Sequence, residues 1–123
     1  MFKTVNPVLA VIDMAESVRF WQRLGFSVPF SDQEDPALSD YAGVRRENIE
    51  FHLQTFTPEQ RGSNKAVSVR VQMDDLGSLK TIYEEWLPLE IISARLDEKP
   101  WGTVEFGFYA PCGTAFFCYV DRA

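Results

Sequence analysis

The sequence predicts an α+β fold made of two βαβββ modules, their strands forming curved mixed sheets around a cleft. Two observations carry this expectation. The order of apolar runs and helical spacings in the first half of the 123-residue chain returns in the second. Asp13 and Asp75 stand 62 positions apart, as do Trp21 and Tyr83, and 62 is half the chain. An internal duplication is the economical explanation, one domain with module 1 over about residues 1–60 and module 2 over about 61–123.

The elements follow in order. "TVNPVLAVID" is an extended apolar run in which Pro7, lacking an N–H, restricts pairing to an edge or a bulge. Asp13 offers an N-cap with Glu16 three residues on, Val18, Trp21 and Leu24 follow at helical spacing, and Gly25 supplies the stop. "FSVPF" reads as a short strand. After the polar loop "SDQEDPALSD", "YAGVRRENIEFHLQTF" reads as a hairpin turning near Glu47 and Asn48. A second polar segment, "TPEQRGSNK", joins the modules. Then "AVSVRVQM" is a strand, Asp74 or Asp75 caps the helix "LGSLKTIYEEWL", and Pro88 marks its end. "LEIISARL" is a strand, and "TVEFGFYA" with "TAFFCYV" forms a hairpin around "PCG".

Composition narrows the function classes. Hydrophobic residues make up 46% and charged residues 24%, inside the globular range. No apolar run approaches the roughly 18 residues that span a bilayer. "MFKTVNPVLAVID" lacks the long apolar region and cleavage site of a signal peptide, so a soluble, cytoplasmic protein is expected. The net charge is −6 and the basic residues are scattered, which argues against nucleic acid as a partner and favours cationic small molecules by steering. Cys112 and Cys118 have no zinc spacing and read as buried thiols in a reducing compartment.

The one histidine, His52, lies in "IEFHLQ". Alternation puts Ile49, Phe51 and Leu53 on one side and Glu50, His52 and Gln54 on the other. His52 is either a metal ligand, a polar bridge within the sheet beside Glu50 or Gln54, or a contact on the wall of a binding pocket. Arg70 shares a face with Ser68 and could meet an anionic substrate, or pair with Glu50 or Glu105. No serine–histidine–acid constellation is legible, and Cys118 faces away from the side that carries Phe117.

"NPVLAVIDMAESVRFWQRLGF", "YAGVRRENIEFHL" and "EKPWGTVEFGFYAPCGTAFFCYV" together resemble the glyoxalase, bleomycin-resistance and extradiol dioxygenase superfamily, the vicinal oxygen chelate fold. "YAGVRR" and "PWG…EF…P-x-G" look most like its bleomycin-binding resistance proteins. The resemblance implies four places for metal ligands, carried here by Asn6, His52, Ser68 and Phe117. Only His52 is a strong donor and Phe117 cannot ligate, whereas a catalytic divalent ion needs about three. Glu50, Gln54 or Glu105 could substitute only in an unconventional site. The expectation is therefore a site with no metal, no cofactor and no catalytic residue.

The resemblance further implies that Phe30, Tyr41, Trp101 and Gly102 grip flat groups of a ligand, with His52, Gln54, Ser68 and Phe117 around them. Flat ligand rings would sit between Phe30 and Tyr41. Asp32, Glu34, Asp35 and Asp40 would attract an amine tail at the rim. The sequence departs from this branch at Ser68, where a tryptophan is usual, at Ala110, where an acidic residue is usual, and at Thr114, where asparagine is usual. The expected function is non-catalytic sequestration of a small aromatic, cationic compound by a homodimer that exchanges N-terminal segments, a bleomycin-type antibiotic being the concrete candidate. The alternatives are a divergent metal-dependent enzyme and a binder of another metabolite.

Overall fold

The structure is a computed structural model that describes residues 1, 3–60 and 68–122. It divides into two compact units, Met1–Asn64 and Lys65–Ala123. Each carries one four-stranded mixed sheet and one α-helix, as the α+β reading of the sequence expected.

In the first unit the order is β1 (Val8–Val11), α1 (Met14–Arg23), β2 (Ser27–Ser31), β3 (Tyr41–Arg46) and β4 (Ile49–Thr55), with strands arranged β1-β4-β3-β2. β1 runs parallel to β4, and the other pairings are antiparallel. The strand is shorter than the apolar run predicted, because Pro7 has no N–H for a ladder. Its carbonyl still accepts from the His52 N–H at 2.8 Å, and β1 forms the sheet edge, the position proline tolerates.

Asp13 caps α1, accepting from the Glu16 N–H at 3.0 Å. Gly25 then leaves the helix at φ +88°, a conformation that a β-carbon disfavours. The buried side of α1 places Trp21 against Phe26 and Phe51, with ring centroids 5.0 and 4.5 Å away. A buried tryptophan of this kind contributes about 3–5 kcal/mol, judged by what its truncation costs. Phe51 and Leu53 point into this core, so alternation along β4 holds as read. The hairpin between β3 and β4 turns where expected, with Glu47 at φ +52°.

The second unit repeats the order: β5 (Ser68–Gln72), α2 (Leu76–Trp86), β6 (Ile92–Glu98), β7 (Thr103–Tyr109) and β8 (Ala115–Asp121), arranged β5-β8-β7-β6. The predicted start of β5 at residues 66–67 lies outside the described residues. Asp75, rather than Asp74, caps α2, taking the Ser78 N–H at 2.7 Å, and that bond holds its carboxyl below the ordinary value. A short 3₁₀ turn, Leu87–Leu89, holds Pro88 and ends at Glu90 with φ +60°. That left-handed residue cannot continue a strand, so β6 starts at Ile92, three positions later than the run "LEIISARL" suggested.

The core under α2 holds Leu79, Trp86, Phe106, Phe108 and Phe116, the last two rings stacked at 5.3 Å. Among the described residues no helix is long and apolar enough to cross a membrane.

Candidate functional site

Each sheet has one face covered by its helix. In the first unit the opposite face brings together Phe30 from β2, Tyr41 and Gly43 from β3, and Glu50, His52 and Gln54 from β4. The β3–β4 register sets Gly43 opposite His52 and Tyr41 opposite Gln54. The β2–β3 register sets Phe30 opposite Gly43. A side chain on residue 43 would drive into the Phe30 ring, so glycine there is what lets that ring approach the sheet so closely.

His52 sits between two polar partners. Its Nδ1 lies 2.7 Å from the Tyr41 hydroxyl and its Nε2 lies 3.0 Å from the Glu50 carboxylate. Phe30 closes the third side, edge-on to the imidazole at 5.0 Å. The bridge to Glu50, one of the readings open from sequence, is present in the geometry. Tyr41 was not anticipated as its second partner, since two neighbouring strands must be in register before the pair meets.

Phe30 and Tyr41 stack on one another, with centroids 6.1 Å apart and planes 22° apart. That spacing is a direct aromatic pair. The expected slot between the two rings is therefore a platform, and a flat ligand would lie on the pair. Phe30 remains 41% exposed, whereas Trp21, Phe26 and Phe51 of the same unit are buried. Gln54 is exposed at the end of the same face.

The rim carboxylates have local duties. Asp32 accepts from the Asp40 N–H at 3.0 Å, Asp35 from the Ala37 N–H at 3.0 Å, and Asp40 from the Thr55 hydroxyl at 2.9 Å. These bonds shape the loop, so three of the four acids expected to meet an amine tail are also turn residues.

In the second unit the corresponding face carries Arg70, Thr103, Glu105, Gly107, Phe117 and Tyr119. Glu105 is buried, and it accepts from Arg70 Nη2 and from the Thr103 hydroxyl, each at 2.8 Å. Burial pushes its pKa upward, but the hydrogen bonds from Arg70 and Thr103, the Arg70 charge and a smaller contribution from the Trp101 indole outweigh this. The net result is a carboxyl below its ordinary value. The guanidinium lies over the Tyr119 ring at 4.4 Å. Of the two partners considered for Arg70, Glu105 is the one observed, and Glu50 turns to His52 instead.

Phe117 rests over Gly107 as Phe30 rests over Gly43, with both ring and backbone close to the missing β-carbon. Ser68 is exposed, opposite Ala115 and two residues from Arg70. Trp101 is 65% exposed in the turn before β7, and Gly102 beside it has φ +95°. Cys118 faces the core, where burial pushes its thiol up to about 12, far from a nucleophile's range.

The residue of β1 paired in register with His52 is Val8, and the residue of β5 paired with Phe117 is Arg70. Asn6 donates its amide to the Glu50 carbonyl at 3.1 Å. Valine, arginine and phenylalanine are no better donors, so these positions do not fit a divalent ion. Among the described residues no three His, Cys, Asp or Glu side chains gather as a metal site.

No protein-family model matches the chain, and no curated protein matches it by sequence. Solved structures do. A bleomycin-binding protein complexed with bleomycin has a TM-score of 0.76 at 17% identity, covering 98% of this chain and 100% of its own. The bleomycin-binding protein of bleomycin-producing Streptomyces verticillus, solved with copper(II)-bleomycin, has a TM-score of 0.71 at 26% identity, covering 100% and 99%. A glyoxalase/bleomycin resistance protein/dioxygenase from Nocardioides has a TM-score of 0.70 at 18% identity, covering 99% and 85%. Helix caps, sheet order and motifs thus lead to one result: this chain has the fold of the bleomycin-binding and glyoxalase/bleomycin resistance/dioxygenase proteins.

Proposed function

We propose that this protein binds a small aromatic, cationic compound without transforming it, and protects the cell by sequestration. A bleomycin-type glycopeptide is the concrete candidate. The observation that carries the reading is the stacked Phe30–Tyr41 pair, its Phe30 ring half-exposed over Gly43 and His52 edge-on to both rings. Stacking a flat ring on such a pair adds about 0.5–1.5 kcal/mol beyond area burial. A net charge of −6 supports the approach of a cation, and the face of an aromatic ring stabilises one on arrival. The structural likeness to two bleomycin-binding proteins supports the choice of ligand.

The proposed contacts are Phe30, Tyr41, His52 and Gln54 in the first unit, and Ser68, Trp101, Gly102 and Phe117 in the second. A working homodimer that exchanges N-terminal segments belongs to the same reading. Its support is that Val5, Asn6 and Pro7 lie outside β1, with Val5 exposed. Light scattering should return the mass of two chains, and the mass of one would remove the dimer.

Isothermal titration of the protein with copper-free bleomycin tests the function. Heat of binding at micromolar protein, unchanged after chelator treatment, is expected, and no heat rejects the drug. One tightly held metal ion per chain, with turnover that follows its loading, would favour the divergent enzyme instead.

A further inference from the structure

The chain Tyr41–His52–Glu50 has a direction. With the glutamate ionised, Glu50 can only accept, so at 3.0 Å the His52 Nε2 must carry a proton and donate it. In the neutral ring Nδ1 then has a lone pair and no hydrogen. It accepts from the Tyr41 hydroxyl at 2.7 Å. That hydroxyl has a single proton, and His52 is its one recorded partner among the described residues. The tyrosine oxygen is left with lone pairs.

The surroundings hold this arrangement in place. Arg45 lies opposite Glu50 in the register, yet its Nε donates to the Glu47 carbonyl at 3.2 Å, leaving the glutamate to His52. Asn6 donates to the Glu50 carbonyl, pinning β4 at that residue. Phe30 packs edge-on to the imidazole and alongside Tyr41, so the ring is wedged as well as hydrogen-bonded.

We infer that Tyr41 is the specificity-determining acceptor of this site. It takes a hydrogen bond from an ammonium or N–H group adjoining a flat ring, and it disfavours a ligand that presents a carboxylate or carbonyl there. A carboxylate or carbonyl there would have no proton to accept, because Tyr41 already donates its single one to His52. This inference rests on the binding function proposed above and names the chemistry that site selects.

One measurement needs no ligand. His52 is the only histidine, so a long-range ¹H–¹⁵N correlation spectrum of protein labelled with ¹⁵N-histidine contains one imidazole. At pH 8 it should show a single Nε2–H tautomer. An Nδ1–H tautomer, an imidazolium or an averaged pair would overturn the inference.

A second measurement uses two probes of one shape, 1-naphthylmethylamine and 1-naphthoate. The wild type should prefer the amine by about tenfold or more, the scale of one charge-assisted hydrogen bond. Tyr41→Phe keeps the platform and the net charge, and should bring the two affinities within about threefold. A preference that survives Tyr41→Phe assigns it to overall charge and overturns the role of Tyr41. Equal binding of both probes by the wild type does the same while leaving the binding function intact. Binding of neither probe removes the binding function itself, and the selectivity with it.

Discussion

On the helix-covered faces, the two sheets place Phe51 and Phe116, Leu53 and Cys118, and Val44 and Phe108 at matching register positions, all buried. On the open faces the same comparison sets His52 against Phe117, Tyr41 against Glu105, Gln54 against Tyr119, and Val8 against Arg70. The first list exchanges one apolar group for another. The second exchanges aromatic for acidic and neutral for cationic. A covered face must fill its volume with carbon, which restricts what a duplicated position can become. An open face asks only that each polar group find a partner, and the two units satisfy that with different sets: tyrosine, histidine and glutamate in one, arginine, glutamate and threonine in the other.

The largest expected effect that could break this comparison is at Arg70. Arg70→Met leaves Glu105 buried without its cation, and should lower stability by about 2–3 kcal/mol at neutral pH. The arginine is 40% exposed, which keeps the loss below that of a fully buried pair. The pH dependence carries a sign. In the wild type Glu105 titrates below its ordinary 4.5, so its contribution is complete above that value and drains as pH falls further. Without Arg70 its hydrogen bond and charge no longer oppose burial, so the carboxyl moves upward and the stability gap between the two proteins should narrow as pH falls from 7 towards 4. Urea unfolding midpoints across that range read the gap between the two proteins. A gap that widens on acidification would show that Arg70 is not what holds the glutamate ionised.

Smaller effects separate the two glycines. A β-carbon on residue 107 would meet the Phe117 ring at 2.9 Å and the Phe116 carbonyl oxygen at 3.2 Å, and backbone yields poorly. Gly107→Ala should therefore cost about 2 kcal/mol. The three atoms nearest a β-carbon on residue 43 all belong to the Phe30 ring, and that half-exposed ring can swing away. Gly43→Ala should cost about 1 kcal/mol or less in urea unfolding, yet abolish most of the affinity for bleomycin by tilting the platform. Equal losses of stability in the two variants would show that the notches serve packing alone in both units.

Much of this molecule is legible without coordinates. Asp13 and Asp75 each cap a helix, Gly25 ends one, and the β3–β4 turn falls at Glu47. Each of these signals is local, since capping and turning involve residues a few positions apart. The misreadings share a different origin. The late start of β6 follows from the left-handed Glu90, which no apolar pattern announces. Strand spacing alone likewise does not say which residues of parallel strands lie side by side, here Val8 with His52 and Arg70 with Phe117. The matched glycines, Gly43 and Gly107, were a visible signal of ring notches, and they acquire that meaning only beside Phe30 and Phe117.

From its order of residues alone, this protein declared a duplicated α+β plan, the helix ends, and which side of each strand is greasy, because these depend on near neighbours along the chain. Which tyrosine reaches the histidine, which acid holds the arginine, and whether two rings form a slot or a shelf were settled only by folding. Those contacts join residues 11 to 35 positions apart, and a shift of one residue in strand pairing would part them all.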